Sequence, residues 1–183
     1  MTRALAAALA VALAAALAAA VSACSSSVAS PAVTYPPVSA PPAVATSGAV
    51  LATRAELVRV LGTRNLVLQD AQVPFRPAEG PALASAPRAV YQVILPDDPG
   101  KGQIVVYDFR DAPTAAASGA DQAAFLATGP GRVQMPIGAR HVIRQLGSTI
   151  ILYSWNPGGS TDDRADGIPE ALRLLGTEIA VPS

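Results

Sequence analysis

Arg140-His-Val-Ile-Arg-Gln-Leu-Gly-Ser-Thr-Ile-Ile-Leu-Tyr-Ser-Trp155 decides the fold. Two β-rich runs, Arg140 to Leu146 and Thr149 to Trp155, flank Gly147-Ser148. Glycine in the first place of a two-residue loop marks a type II′ hairpin. That turn fixes the register: Leu146 faces Thr149, Arg144 faces Ile151, Val142 faces Tyr153 and His141 faces Ser154. Side chains alternate along a strand, so Ile151, Tyr153 and Trp155 share one face, and Ile143, Ile150 and Leu152 share the other. Both faces are apolar. Helices can cover one; the Pro-rich stretch at 74–87 must cover the other, or it stays open as a contact surface.

A second hairpin lies upstream. Ala89 to Leu95 and Gln103 to Phe109 are β-rich, and the turn-rich run Pro96 to Gly102 joins them. Asn65 to Val73 reads as one more strand, and Ile179 to Val181 as a short edge addition. Thr53-Arg-Ala-Glu56 has the form of a capping box and predicts a helix over about 53–61, with Leu57, Val60 and Leu61 on one side and Gly62 at its stop. Asp111 and Pro113 open an Ala-rich helix that runs to Leu126, with Gly119 as a weak point in its middle. Pro169 opens a last helix, Glu170 to Leu175, ended by Gly176. The expected class is α+β: an antiparallel sheet of about five strands, with about three helices mainly on one face, in the order αβββαββα.

The remaining sequence is organised differently. Residues 4–21 form an Ala/Leu-rich run behind Arg3, with the parts of a secretory signal. It is nearly long enough for a short membrane span, but alanine is only weakly apolar and no basic stop-transfer cluster follows. Ser25 to Val50 is rich in Ser, Pro, Ala and Val and carries no charge. Pro31, Pro36, Pro37, Pro41 and Pro42 favour an extended spacer over helix. The expected division is 1–23 signal peptide, 24–50 tether and 51–183 a single globular domain. The 183 residues balance to zero net charge, with acids and bases scattered, so neither composition nor patterning points to nucleic acid.

Val21-Ser22-Ala23-Cys24 resembles the lipobox of bacterial lipoproteins. The resemblance implies diacylation of Cys24, cleavage before it, and stable anchoring by two acyl chains. It also explains an unpaired thiol, since Cys24 is the only cysteine. The implied location is extracytoplasmic and lipid-anchored to the cell membrane. In a two-membrane bacterium, Ser25 resembles the sorting signal for the outer membrane, periplasmic side. Beyond the tether, Val106-Tyr-Asp-Phe109, the Ala-rich helix, the His-bearing hairpin and Ala171-Leu-Arg-Leu-Leu-Gly176 together resemble small uncharacterised envelope lipoproteins. That likeness covers about 50–181 and carries no activity.

Chemistry-bearing residues are few. His141 is the only histidine, and the register sets it beside Ser154, as a base beside a nucleophile or as a plain cross-strand pair. No acid near in sequence orients the imidazole, and no Gly-x-Ser-x-Gly elbow exists. Asp162, Asp163 and Asp166 before Gly167 approach a calcium loop, but Arg164 and Arg173 occupy ligand positions, so the acids are assigned to capping the last helix. Asp108 with Asp111 shows no specific glycosidase spacing. Asp97 and Asp98 read as a solvated turn, and Gly158-Gly159-Ser160 as a flexible one, with an anion-binding nest as the alternative. Tyr153 and Trp155 form an aromatic pair suited to core packing or to a ligand. The expectation is therefore a binding or scaffolding domain, not an enzyme. It has no cofactor, no metal and no catalytic residue; Tyr153, Trp155 and His141 are candidate contacts for an envelope protein or glycan. The alternative is an envelope hydrolase using His141 and acidic residues.

Overall fold

The computed structural model describes residues 45–182. The signal peptide, Cys24 and the tether up to residue 44 lie outside the described residues. Six strands form one sheet: β1 (Leu68–Asp70), β2 (Arg88–Val93), β3 (Gln103–Asp108), β4 (Arg140–Leu146), β5 (Thr149–Trp155) and β6 (Thr177–Glu178). Their spatial order is β1-β2-β3-β5-β4-β6, and every pairing is antiparallel. Among the described residues five α-helices accompany it: α1 (Gly48–Gly62), α2 (Pro81–Ser85), α3 (Ala112–Ala127), α4 (Gly129–Arg132) and α5 (Gly167–Leu172), the last preceded by a 3-10 turn at Asp163–Asp166. The class is α+β, with one more strand and two more helices than expected.

The β4–β5 hairpin has the anticipated register throughout, Leu146 opposite Thr149 and His141 opposite Ser154. Gly147 has φ +58° and Ser148 does not enter the left-handed region, as a type II′ turn requires. Both edge strands are short, two or three residues, which limits pairing with other chains.

The helices divide between the two faces instead of gathering on one. Leu57, Val60 and Leu61 of α1, with Ile168 and Leu172 of α5, pack on Ile104, Val106, Ile151 and Tyr153. On the opposite face, Ala115, Ala123 and Leu126 of α3 join Leu83 of α2 against Val105, Tyr107, Ile143, Ile150 and Leu152. Among the described residues both sheet faces are covered, so neither stands open as a contact surface. The α3 helix fits because Gly119 has no side chain. A Cβ there would lie 2.9 Å from the Ile150 Cδ1 and 2.3 Å from the Ile179 Cδ1. The glycine that weakens the helix locally permits its close approach to the sheet.

The first helix starts earlier than its sequence suggested. Ser47 is the cap, its Oγ accepting from the Val50 amide at 3.2 Å. Thr53 sits inside the helix, buried, and its hydroxyl donates to Thr149 Oγ1 at 2.8 Å; Thr149 in turn donates to the Leu146 carbonyl. Glu56 turns to Arg59, not back to a cap. The fold reaches back to buried Ala45, whose amide donates to the Arg88 carbonyl. The described chain thus enters at the Arg88 end of the sheet, opposite the end that carries Gln103, Trp155 and Arg140.

The Pro-rich crossing is fastened by buried polar groups. Gln122 of α3 donates to the Ala78 carbonyl at 2.8 Å and accepts from the Gly80 amide at 2.7 Å. The Glu79 side chain is 1% exposed and accepts from Arg88, from Arg76 at 2.9 Å and from the Tyr107 hydroxyl at 2.6 Å. Burial first, and then the Glu79 bond, raise the Tyr107 pKa, so the phenol stays protonated as a donor. At the other edge, buried Arg144 donates to the Leu175 carbonyl at 2.6 Å and the Gly176 carbonyl at 2.8 Å, holding the end of α5 onto β4.

Candidate functional site

A cleft of about 550 Å³ opens at the end of the sheet where β3 begins and β5 ends. Its volume falls in the range of small-ligand sites, roughly 300–1,000 Å³. Tyr153 and Trp155, two residues apart on β5, both line it. Their rings stack with centroids 5.4 Å apart and planes 14° apart. Tyr153 is buried in the core, whereas Trp155 is only half-buried and stands at the mouth. Burial first, and then the Asp166 carboxylate, raise the Tyr153 pKa and keep its hydroxyl protonated.

The loops around the cleft are tied to each other. Buried Asp162 caps the 3-10 turn: its Oδ1 accepts from the Arg164 amide at 3.1 Å and from Arg164 Nε at 2.8 Å. Its Oδ2 accepts from Arg164 and from the Asp97 amide at 3.2 Å. The Arg164 bond chiefly lowers the Asp162 pKa to about 2. Thr161 bonds the Asp97 carbonyl at 2.7 Å through its hydroxyl. The Asp97–Asp98 turn is therefore a brace for the cleft wall, not a merely solvated turn. Asp162 is occupied by its arginine and serves structure. Among the described residues no group of three or more His, Cys, Asp or Glu side chains is placed to hold a metal ion.

His141 does not join the aromatic pair. Its side chain lies on the opposite face and lines a separate cavity of about 480 Å³ with Leu126, Arg132, Met135 and Val181. Its Nδ1 lies 2.9 Å from Ser154 Oγ. Desolvation lowers the His141 pKa, so the imidazole is neutral near pH 7. No carboxylate among the described residues bonds its ring, so the pair lacks the third group that orients a general base. Asp108 and Asp111 take no part in either cavity; Asp111 instead caps α3, accepting from the Thr114 amide at 2.8 Å. Gly158, Gly159 and Ser160 line the cleft as a turn. Gln103 and Gln134, which no sequence motif marks, also line it; only the fold brings them to Trp155. Among the described residues no helix is long and apolar enough to cross a membrane.

Compared with protein-family models, curated proteins and solved structures, the chain gives no match.

Proposed function

We propose that this protein is a lipid-anchored, extracytoplasmic envelope lipoprotein whose domain binds a ligand without transforming it. The anchoring half rests on Val21-Ser22-Ala23-Cys24 behind the apolar run, with residues 25–44 as spacer. Such a spacer, at about 3 Å per residue when extended, reaches on the order of 60 Å. The binding half rests on one observation: the 550 Å³ cleft with Trp155 at its mouth. The described chain begins, at Ala45, beside Arg88 at the end of the sheet away from the cleft. Partners are the membrane, through acyl chains on Cys24, and an envelope component in the cleft.

The test is site-specific photo-crosslinking of the full chain in its native membrane, from Asn156 at the cleft rim and from exposed Arg59 on α1. Capture of a discrete species from Asn156 but not from Arg59 is expected. Equal capture from both positions, or none from either, overturns the binding reading.

The 2.9 Å contact between His141 and Ser154 supports a second reading, an envelope hydrolase. If an activity on envelope material is found, its loss in His141→Ala with the fold retained establishes that reading. Activity unchanged by that substitution rules out His141 as the base.

A further inference from the structure

We infer that the cleft is a carbohydrate site, with Trp155 as the platform for a pyranose ring and the Tyr153 hydroxyl as a donor to it. This deepens the proposal that the cleft binds a ligand, and it rests on that reading. Tyr153 is 3% exposed, yet its hydroxyl has no hydrogen-bond partner among the described residues. Buried tyrosine hydroxyls ordinarily find one. Among the described residues no side-chain polar atom sealed from solvent lacks a partner, so this hydroxyl reaches the cleft that Tyr153 lines. The side chain is more than nine-tenths buried, and its hydroxyl is left free to donate to a ligand.

The neighbouring groups narrow the chemistry. Tyr153 stacks on Trp155, and the half-buried Trp155 ring lines the cleft. A pyranose presents a flat array of C–H bonds that packs on an aromatic face, and hydroxyls that both donate and accept around its edge. Amides offer both functions to such hydroxyls, and Gln103, Gln134 and Asn156 supply them here. Within the lining, Arg76 is paired with Glu79 and Asp162 with Arg164. Lys101 and Arg76, whose Glu79 partner is shared with Arg88, then balance Asp163 and Asp166, so the lining has no cationic excess that would select phosphates or carboxylates. A peptide adding as a strand needs a free sheet edge, and the cleft lies on β3 and β5, which are interior. A neutral sugar fits this lining, and Asp166 on it can meet an amine-bearing one.

Trp155 is the only tryptophan, so its emission reports on this site alone. The full chain, in a detergent without a sugar head group, is titrated with cellotetraose, with the β-1,4 tetramer of N-acetylglucosamine and with its deacetylated form. A saturable change in emission with at least one of these is expected. Tyr153→Phe keeps the ring stack and should weaken that binding about fivefold, the worth of one hydrogen bond. Asp166→Asn, an exposed change that leaves the core untouched, should weaken the amine-bearing tetramer more than the neutral ones. No saturable response to any of the three overturns the inference, as does binding unaffected by Tyr153→Phe. If Asn156 still captures a species while no sugar binds, only the sugar assignment fails; if neither occurs, the binding reading fails with it.

Discussion

Glu79→Gln removes the charge from a carboxylate that is 1% exposed and faces Arg88, itself 13% exposed in its side chain. The amide oxygen can still accept from Tyr107 and Arg88, so geometry survives and the counter-charge is lost. Breaking a buried pair from one side costs about 3–5 kcal/mol, and the retained hydrogen bonds argue for the lower end, about 3 kcal/mol. Arg76 is 58% exposed and adds little. At about 2.1 cal/mol/K per residue, a domain of about 140 residues unfolds with an entropy near 0.3 kcal/mol/K, so the expected fall in Tm is about 10 °C. Differential scanning calorimetry with urea unfolding measures both quantities. Combining Glu79→Gln with Arg88→Met should recover part of the loss, because neither charge is then stranded. A single variant within about 0.5 kcal/mol of the parent, or strict additivity of the two changes, refutes this view of how the Pro-rich crossing is held.

Three further outcomes follow from the same structure. Gly176 has φ +38°, and a Cβ there would stand 1.9 Å from the Gln145 carbonyl oxygen. Gly176→Ala should cost well over about 2 kcal/mol in urea unfolding, whereas Gly147→Ala, with φ +58° but open space, should cost only about 1–2 kcal/mol; equal costs would contradict the close approach at Gly176. The His141 pKa is depressed in the folded state, so its contribution to stability is present above the unfolded value near 6.5 and is lost as pH falls below it. Tm should therefore drop between pH 7.5 and 5.5, and His141→Gln should flatten that drop; the Asp162 contribution fades only lower, from about pH 4 toward 2. Gln122→Leu should leave the Ala78 carbonyl and Gly80 amide unpaired and cost about 2–3 kcal/mol, with faster amide exchange at Gly80 as the local signature.

The hairpin was legible because a two-residue turn dictates register, and one glycine dictates that turn. The same alternation set Tyr153 and Trp155 on one face, where the rings stack, and the register set His141 opposite Ser154. Other features were hidden for identifiable reasons. Thr53 and Glu56 have the spacing of a capping box, yet Thr53 is turned to the sheet by Thr149, almost a hundred residues away. The true cap, Ser47, lies in an uncharged Ala/Ser/Val stretch with no helical period. Alanine is too weakly apolar to show which side of α3 is buried, so its pairing with Ile143, Ile150 and Leu152 could not be read, and the helices looked one-sided. Glu79 lies in a Pro-rich run, and its partners Arg88 and Tyr107 converge on it only through the β2–β3 register. The cleft was invisible for the same reason: Gln103, Gln134 and Asn156 have no common motif and meet only at the sheet end.

The anchoring claim meets its most direct test in the mass of the mature chain. The full chain, expressed in a bacterial host and purified from the membrane fraction, is measured intact and after proteolysis, beside Cys24→Ser. The expected result is a chain that begins at Cys24 and carries a diacylglyceryl group on its sulfur, with Cys24→Ser unprocessed and unacylated. A free Cys24 thiol in the membrane-bound protein, or membrane association and processing unchanged by Cys24→Ser, would contradict a lipid anchor at this residue.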